Sequence, residues 1–295
     1  MISPDEQPKL RLAPSEPVDE TRMRLEREQR AENLMRESEL ENSLAPFRVG
    51  SVPYLNAVPL TRGLEDQIIF ETPSRLAEML RAGELDAALV SLAAVLFEDR
   101  YDILDGIAIA SLGEVQSVLM AHRIPLEQIQ EVFVDTASVT SVALLKVLLA
   151  ERGLYPRFTP MDSYKTAPEK DAVLLIGDPA LDFLRAQHPH QIYDLGTAWM
   201  ELTRLPFVYA VWALQRGAPN EKLRRQLRSA KEFGLDTLDY IVQSRTEYDY
   251  NFRKDYLSWH VHYHLAADEK RGVNKFMELL RKHGLGPVYE PHYVQ

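Results

Sequence analysis

The sequence predicts an α/β protein of two lobes with a ligand crevice between them. From Phe47 onward, short apolar runs typical of buried strands alternate with segments of helical period. This alternation restarts near Val132, and one long apolar run, 205–214, follows the second set. Alternating strands and helices favour parallel sheets. A long strand that returns to the first set makes the second lobe an insertion in the first.

The first unit opens with the apolar run 47–52. Its further strands and one helix are predicted at 68–71, 73–81 (helix), 87–90, 107–110 and 115–120, the last two forming a pair around Gly113. The second unit has strands at 132–135 and 172–176, with helices at 140–151 and after Pro179. Helical period continues at 221–242, 256–267 and 269–283.

Two α/β lobes joined by two extended connections are typical of the type II periplasmic-binding-protein-like fold. In such a fold the ligand lies where the loops at the carboxyl ends of both sheets converge. The predicted first lobe comprises 47–118 and 210–290 with its C-terminal helices, and the inserted second lobe comprises 119–209.

Residues 1–46 differ in composition, because Pro, Glu and Arg dominate there. A charged segment with little apolar stripe is expected to be disordered. A solvated helix over 20–28, stabilised by pairs four residues apart, is the alternative.

Composition limits the partners of the chain. At 295 residues and 45% hydrophobic content, it is long enough for two cores, and a net charge of −10 argues against nucleic acid or an anionic membrane as partner. The absence of cysteine excludes thiol chemistry and disulfides. No secretory signal is visible, so a cytoplasmic protein is expected. Monomer and homodimer both remain open.

Three groups of residues allow a functional or a structural interpretation. Asn56 lies in an otherwise apolar strand-to-helix turn, where it either caps the next helix or offers its amide to a ligand. Hydroxyl residues at 138–141 either cap a helix or form an anion site at its N-terminus. The histidines of 259–264 lack the glutamate of an HExxH motif, so packing and surface histidines are expected there and not a metal site.

Seven ordered segments together resemble the menaquinone-biosynthesis family of the futalosine route, specifically its chorismate dehydratases. They are 49–60, 83–91, 113–118, 135–145, 176–181, 193–196 and 205–212. The resemblance implies a cofactor-free carbon–oxygen lyase, a hydro-lyase that converts chorismate to 3-[(1-carboxyvinyl)oxy]benzoate. The alternatives are a non-catalytic binding or sensor module for a small cyclic or aromatic carboxylate, and an interaction protein with a vestigial crevice.

The same resemblance implies catalytic roles for Asn56 and Ser117. The candidate substrate-binding residues are Ser51, Tyr54, Ser91, Ser138, Thr140, Ser141, Asp178, Arg204 and Arg75. Three positions depart from the family pattern: Val139 replaces an arginine, Arg204 a glycine and Glu114 a proline. Arg204 or Arg75 is therefore expected to supply the missing charge to the carboxylates, and Glu114 is expected to face solvent.

Overall fold

The structure, a computed structural model, describes residues 20–135 and 138–295. Its strands are β1 (Val49–Ser51), β2 (Ile68–Phe70), β3 (Ala87–Ser91), β4 (Tyr101–Ser111), β5 (Val118–His122), β6 (Glu131–Val134), β7 (Arg157–Pro160), β8 (Ala172–Ile176), β9 (Gln191–Asp194), β10 (Phe207–Gln215) and β11 (His292–Val294).

The α-helices are α1 (Glu20–Leu40), α2 (Val58–Thr61), α3 (Pro73–Arg81), α4 (Leu92–Leu96), α5 (Val139–Ala150), α6 (Gly177–Arg185), α7 (Leu195–Thr203), α8 (Glu221–Asp236), α9 (Leu238–Ser244), α10 (Tyr250–Asp255) and α11 (Ala267–Lys282). Short 3-10 turns occur at Leu55–Ala57, Glu65–Gln67, Leu126–Gln128 and Tyr164–Glu169, and a π-helical turn occurs at Tyr256–His260. None of the helices in the described ranges is long and apolar enough to cross a membrane.

Two mixed sheets organise the described residues. The first has the order β11-β4-β10-β3-β1-β2, in which β1 pairs in parallel with β2 and β3, while β10 runs antiparallel to β3 and β4. The second has the order β7-β6-β8-β5-β9, with β6 parallel to β7 and β8. The central strands β3 and β8 are buried at every position, which is why they are apolar without alternation.

The chain passes between the two sheets at two short connections. Residues 112–117 lead from β4 to β5, and residues 204–206 lead from α7 to β10. The strands at 107–110 and 115–120 were expected to pair with each other, but β4 and β5 belong to different sheets, so that expectation is wrong. Gly113, with φ +95°, turns the chain away from the first sheet.

The segment before residue 47 differs from the expected disordered extension. Residues 1–19 lie outside the described residues, whereas α1 is helical and carries the exposed pairs Arg22–Glu26 and Arg24–Glu28, as the alternative required. Leu40 and Leu44 are buried in the apolar core of the compact unit that begins at Leu40. The compact unit therefore begins at Leu40 and not at Phe47, because Leu40 and Leu44 pack in its core.

The expected helix at 256–267 is also wrong. The π-helical turn ends at His260, and the chain then runs extended, with a bridge between His262 and Ala110 of β4. The side chains of Val261, Tyr263 and Leu265 are each about 2% exposed. Burial of every second residue is the period of a strand. It determines the structure here, although the spacing of His260 and His264 also fits a helix.

Candidate active site

A narrow cavity lies at the edge where parallel strands of the two sheets end. Strands β1 and β3 lead into it from the first sheet, and β8 leads into it from the second. This is the position at which α/β sheets bind ligands. Six of the predicted site residues line the cavity together: Tyr54, Asn56, Ser91, Ser117, Ser138 and Ser141.

Asn56 is not a helix cap. It lies within the 3-10 turn Leu55–Ala57, and the N-cap of α2 is Ala57. Its Oδ1 atom is buried and has no hydrogen-bond partner among the residues that the structure describes. Leaving such an acceptor unsatisfied costs about 1–3 kcal/mol, so a ligand donor in the cavity would find a ready partner.

Ser117 is fixed by hydrogen bonds on both sides of its peptide. The half-buried Asp194 carboxylate accepts hydrogen bonds from Val115 N at 3.2 Å and Gln116 N at 2.8 Å. On the other side, Ser117 O accepts from Gly177 N at 2.7 Å. Gln116 has a left-handed backbone with φ +61°, a conformation that a non-glycine residue adopts only when its surroundings enforce it.

The hydroxyl residues at the start of α5 satisfy the capping interpretation. Ser138 is the N-cap, and its Oγ accepts from Ser141 N at 3.3 Å and lies 3.0 Å from Ser141 Oγ. Both side chains also line the cavity. The N-terminus of α5, the positive end of its dipole, therefore lies at the cavity.

Tyr54 closes one wall of the cavity against the start of α6. Gly177 has φ +61°, and a Cβ built there would lie 3.0 Å from the Tyr54 ring, so glycine permits this close approach. Burial, followed by the negative charges of Asp135 and Asp178, raises the pKa of Tyr54 to about 12. The phenol is therefore protonated at neutral pH and offers a hydrogen-bond donor.

Three predicted site residues do not line this cavity. Thr140 is fully buried, and its Oγ1 accepts from Ala93 N at 2.7 Å, so it caps the start of α4. Asp178 Oδ1 accepts from Leu55 N at 3.3 Å. Ser51 is fully buried at the end of β1, and its hydroxyl does not reach the cavity.

Neither candidate arginine reaches the cavity. Arg75 is exposed on α3 and lies close to Glu78 and Glu84, at 3.3 and 3.6 Å. Arg204 is exposed at the C-cap of α7, where it has a left-handed φ of +60°. Although both arginines lie close in sequence to the motifs, neither brings a guanidinium into the cavity. Glu114 is exposed, as expected.

Two tyrosines belong to the site although the sequence reasoning did not select them. Tyr209 lines the cavity, and its hydroxyl lies 3.0 Å from Ser111 Oγ. Burial raises the pKa of Tyr209 well above its ordinary value, so it too remains a donor. Tyr256 is buried outside the cavity lining, and its burial raises its pKa, an effect that Ser117 and Asn56 oppose. No local pattern indicated either tyrosine, since β10 is buried at nearly every position and shows no alternation.

The described residues that line the cavity include no carboxylate, imidazole, amine or guanidinium. Its polar groups are the Asn56 amide, four serine hydroxyls and two tyrosine hydroxyls. Such a set can orient a small polar ring and donate hydrogen bonds to carboxylates, but it holds no side chain that would act as a strong base at neutral pH.

Comparison with known proteins identifies the family of the chain. The family model for menaquinone biosynthesis matches residues 47–282. The chain therefore belongs to this menaquinone-biosynthesis family. A chorismate dehydratase of Thermus thermophilus is 33% identical over 261 residues, covering 80% of this chain and 96% of the relative. A chorismate dehydratase of Campylobacter jejuni is 26% identical, covering 76% of this chain and 89% of the relative.

Solved structures confirm the predicted fold class. A protein from Archaeoglobus fulgidus has a TM-score of 0.66 at 19% identity, covering 81% of this chain and 98% of its own. The periplasmic aliphatic sulphonate-binding protein of Escherichia coli has a TM-score of 0.55 at 14% identity, covering 84% and 93%. The protein thus has a periplasmic-binding-protein-like fold.

Proposed function

We propose that this chain is a chorismate dehydratase, a hydro-lyase that converts chorismate to 3-[(1-carboxyvinyl)oxy]benzoate. The observation that carries the proposal is that Asn56 and Ser117 share one cavity, in which the buried Asn56 Oδ1 has no partner among the described residues. Membership of the menaquinone-biosynthesis family and similarity to two chorismate dehydratases support the same reaction.

The proposed reaction places modest demands on the protein. One ring C–H bond and the neighbouring C–O bond break, the proton and the hydroxyl leave as water, and the new double bond completes an aromatic ring. No oxidant is needed, because no electrons leave the substrate. Asn56 and Ser117 would orient the reacting hydroxyl, and the buried walls would exclude bulk water.

Proton removal needs a base that the cavity does not supply. The pKa of Tyr54 and that of Tyr209 are both raised, so these phenols are poor bases at neutral pH. A carboxylate of chorismate itself would take the ring proton. This assignment explains how a cavity lined by hydroxyls and one amide can serve an elimination.

The carboxylates would be bound without an arginine. Ser138 and Ser141 offer hydroxyls at the positive end of α5, and Tyr54 offers a protonated phenol. Helix dipoles and neutral donors bind an anion less strongly than a bidentate guanidinium does. A comparatively weak affinity for chorismate is therefore expected.

The test is the ultraviolet change on aromatisation when the purified protein is mixed with chorismate. Asn56→Ala and Ser117→Ala are expected to lower kcat at saturating chorismate by about a hundredfold each, as for other transition-state hydrogen bonds. Ser43→Ala is the matched control, because Ser43 is also buried but lies outside the cavity. Full turnover by both site variants would overturn the assignment. Calorimetric binding of chorismate without aromatisation would favour a binding module instead.

A further inference from the structure

His260 joins the π-helical turn that follows α10 to the connection that carries Ser117. It is the last residue of that turn, and its side chain is 15% exposed. Its ring lies against residues 112–117, one of the two connections between the sheets. The Nδ1 atom is 3.1 Å from Glu114 O, and the Nε2 atom is 3.1 Å from Gln116 Nε2. One imidazole thus contacts two residues of the same short connection.

The hydrogen-bonding groups place the proton of His260 on one nitrogen. Gln116 Nε2 lies 3.2 Å from Glu114 Oε2, a carboxylate oxygen that only accepts, so the amide nitrogen donates there. The same NH2 group has a second hydrogen, which it donates to His260 Nε2. Because Nε2 accepts, it carries no proton, and the proton of the ring lies on Nδ1, which donates to Glu114 O. His260 is therefore the neutral Nδ1–H tautomer.

These contacts hold a backbone that is strained next to Ser117. Gln116 has φ +61°, a left-handed conformation that residues with a side chain disfavour. The Asp194 carboxylate binds the Gln116 main chain at 2.8 Å, and His260 binds its side chain. Ser117 follows directly and lines the cavity, whereas His260 does not line it. His260 therefore acts on a ligand through the connection.

The backbone that carries His260 is itself held in place. Val261 N donates to Tyr256 O at 3.1 Å, and Val261 is 2% exposed. His262 and Ala110 of β4 exchange two main-chain hydrogen bonds, of 2.9 and 3.0 Å. Strand β4 in turn leads directly into the same connection. The imidazole thus approaches the connection from a fixed support, as a group that orients another must.

We propose that His260 is a positioning residue of the candidate active site: its Nδ1–H tautomer binds the Glu114 carbonyl and the Gln116 amide, and so keeps the Ser117 hydroxyl where a ligand meets it. The role in turnover rests on the proposed function.

Asparagine and leucine provide a matched pair of substitutions, because their side chains are nearly equal in size. The asparagine amide offers an N–H donor near the Nδ1 position, whereas leucine offers no hydrogen bond. A difference between His260→Asn and His260→Leu therefore reports the hydrogen bond to the connection and not the loss of the ring. His264→Leu is the control, because His264 is exposed on the same segment and its Nδ1 lies 3.4 Å from Lys231 Nζ.

The kinetic test measures kcat and KM for chorismate in these variants, with thermal unfolding to verify folding. His260→Leu is expected to lower kcat about tenfold and to change KM less than about threefold, because a displaced reacting group affects the transition state most. His260→Asn should keep a kcat at least about threefold above that of the leucine variant, and His264→Leu should match the wild type. In a Ser117→Ala background, His260→Leu should have little further effect.

Three kinetic results would overturn the proposal. They are a wild-type kcat in His260→Leu, equal kcat in His260→Leu and His260→Asn, and full additivity of His260→Leu with Ser117→Ala.

A second readout does not depend on activity. The ring nitrogens of His260 can be followed in a long-range ¹H–¹⁵N spectrum of the wild type and assigned by their loss in His260→Asn. At about pH 8, above the ordinary titration range of imidazole, a protonated Nδ1 and an unprotonated Nε2 are expected. A proton on Nε2, or exchange between the two nitrogens, would overturn the proposal. If the wild type fails to aromatise chorismate, the proposed function fails while this test of His260 still stands.

Discussion

Replacing Asp178 by asparagine should stabilise the protein above about pH 6. The carboxyl lies at the start of α6, where Oδ1 accepts from Leu55 N at 3.3 Å. Burial raises its pKa from 3.8 to about 6, against the opposing effect of the Leu55 N–H. Asparagine retains an acceptor oxygen for that N–H but carries no charge.

The size of the effect follows from the pKa difference. The folded state binds the Asp178 proton more tightly than the unfolded state, in which the pKa is near 3.8. The wild type therefore loses stability as the pH rises from about 4 to about 6, and the loss is complete above about 6. Because one pKa unit corresponds to 1.36 kcal/mol, a pKa difference of about 2 changes the free energy of unfolding by at most about 3 kcal/mol. Partial exposure of the side chain reduces the expected gain for Asp178→Asn to about 1–3 kcal/mol.

Urea unfolding of both proteins at several pH values between about 4.5 and 8 measures this difference. The advantage of Asp178→Asn should grow across the acidic range and become constant near neutrality. Asp162→Asn, at an exposed aspartate, is the control and should show no such growth. If Asp178→Asn is no more stable than the wild type, or is more stable by the same amount at every pH, the raised pKa of Asp178 is refuted.

Three further substitutions test one buried hydrogen bond and two left-handed backbone positions. Thr140→Val should lower the free energy of unfolding by about 1–3 kcal/mol, because the buried Ala93 N–H loses its acceptor, and urea midpoints measure this loss. Gly177→Ala should cost about 1–2 kcal/mol, since it places a Cβ at positive φ and 3.0 Å from the Tyr54 ring. The same denaturation curve measures that cost. Arg204→Gly should raise stability by about 1 kcal/mol, because glycine adopts the left-handed C-cap without strain, and calorimetric Tm values measure the gain.

Each of these results can also contradict its reasoning. A Thr140→Val protein as stable as the wild type would show that Ala93 finds another acceptor. Unchanged stability in Gly177→Ala would show that Tyr54 moves aside without cost. For Arg204, a loss of chorismate turnover in the glycine variant would indicate that its guanidinium does serve the ligand.

Local pattern predicted much of the fold because strands and helices have different apolar periods. The helix at 73–81 and the strand at 172–176 have the predicted bounds in the structure. The extended run of Val261, Tyr263 and Leu265 was missed because the intervening histidines also fit a helical face. Two periods overlapped there, and burial against β4 decided between them.

The site was predictable only where a motif fixed the backbone. Asn56 and Ser117 line the cavity, whereas Arg204 follows its helix by one residue, has a left-handed φ and is exposed. No sequence period encodes such a single backbone angle.

The Asp194 carboxylate that fastens the 112–117 connection has a consequence for affinity. By binding the Val115 and Gln116 amides, it orders the peptide before Ser117 when the protein folds. Fixing the backbone of one residue costs about 1–2 kcal/mol in conformational entropy. At Ser117 this cost is met when the protein folds, so ligand binding does not have to meet it. A ligand therefore meets a preorganised hydroxyl, which partly compensates a cavity without an arginine.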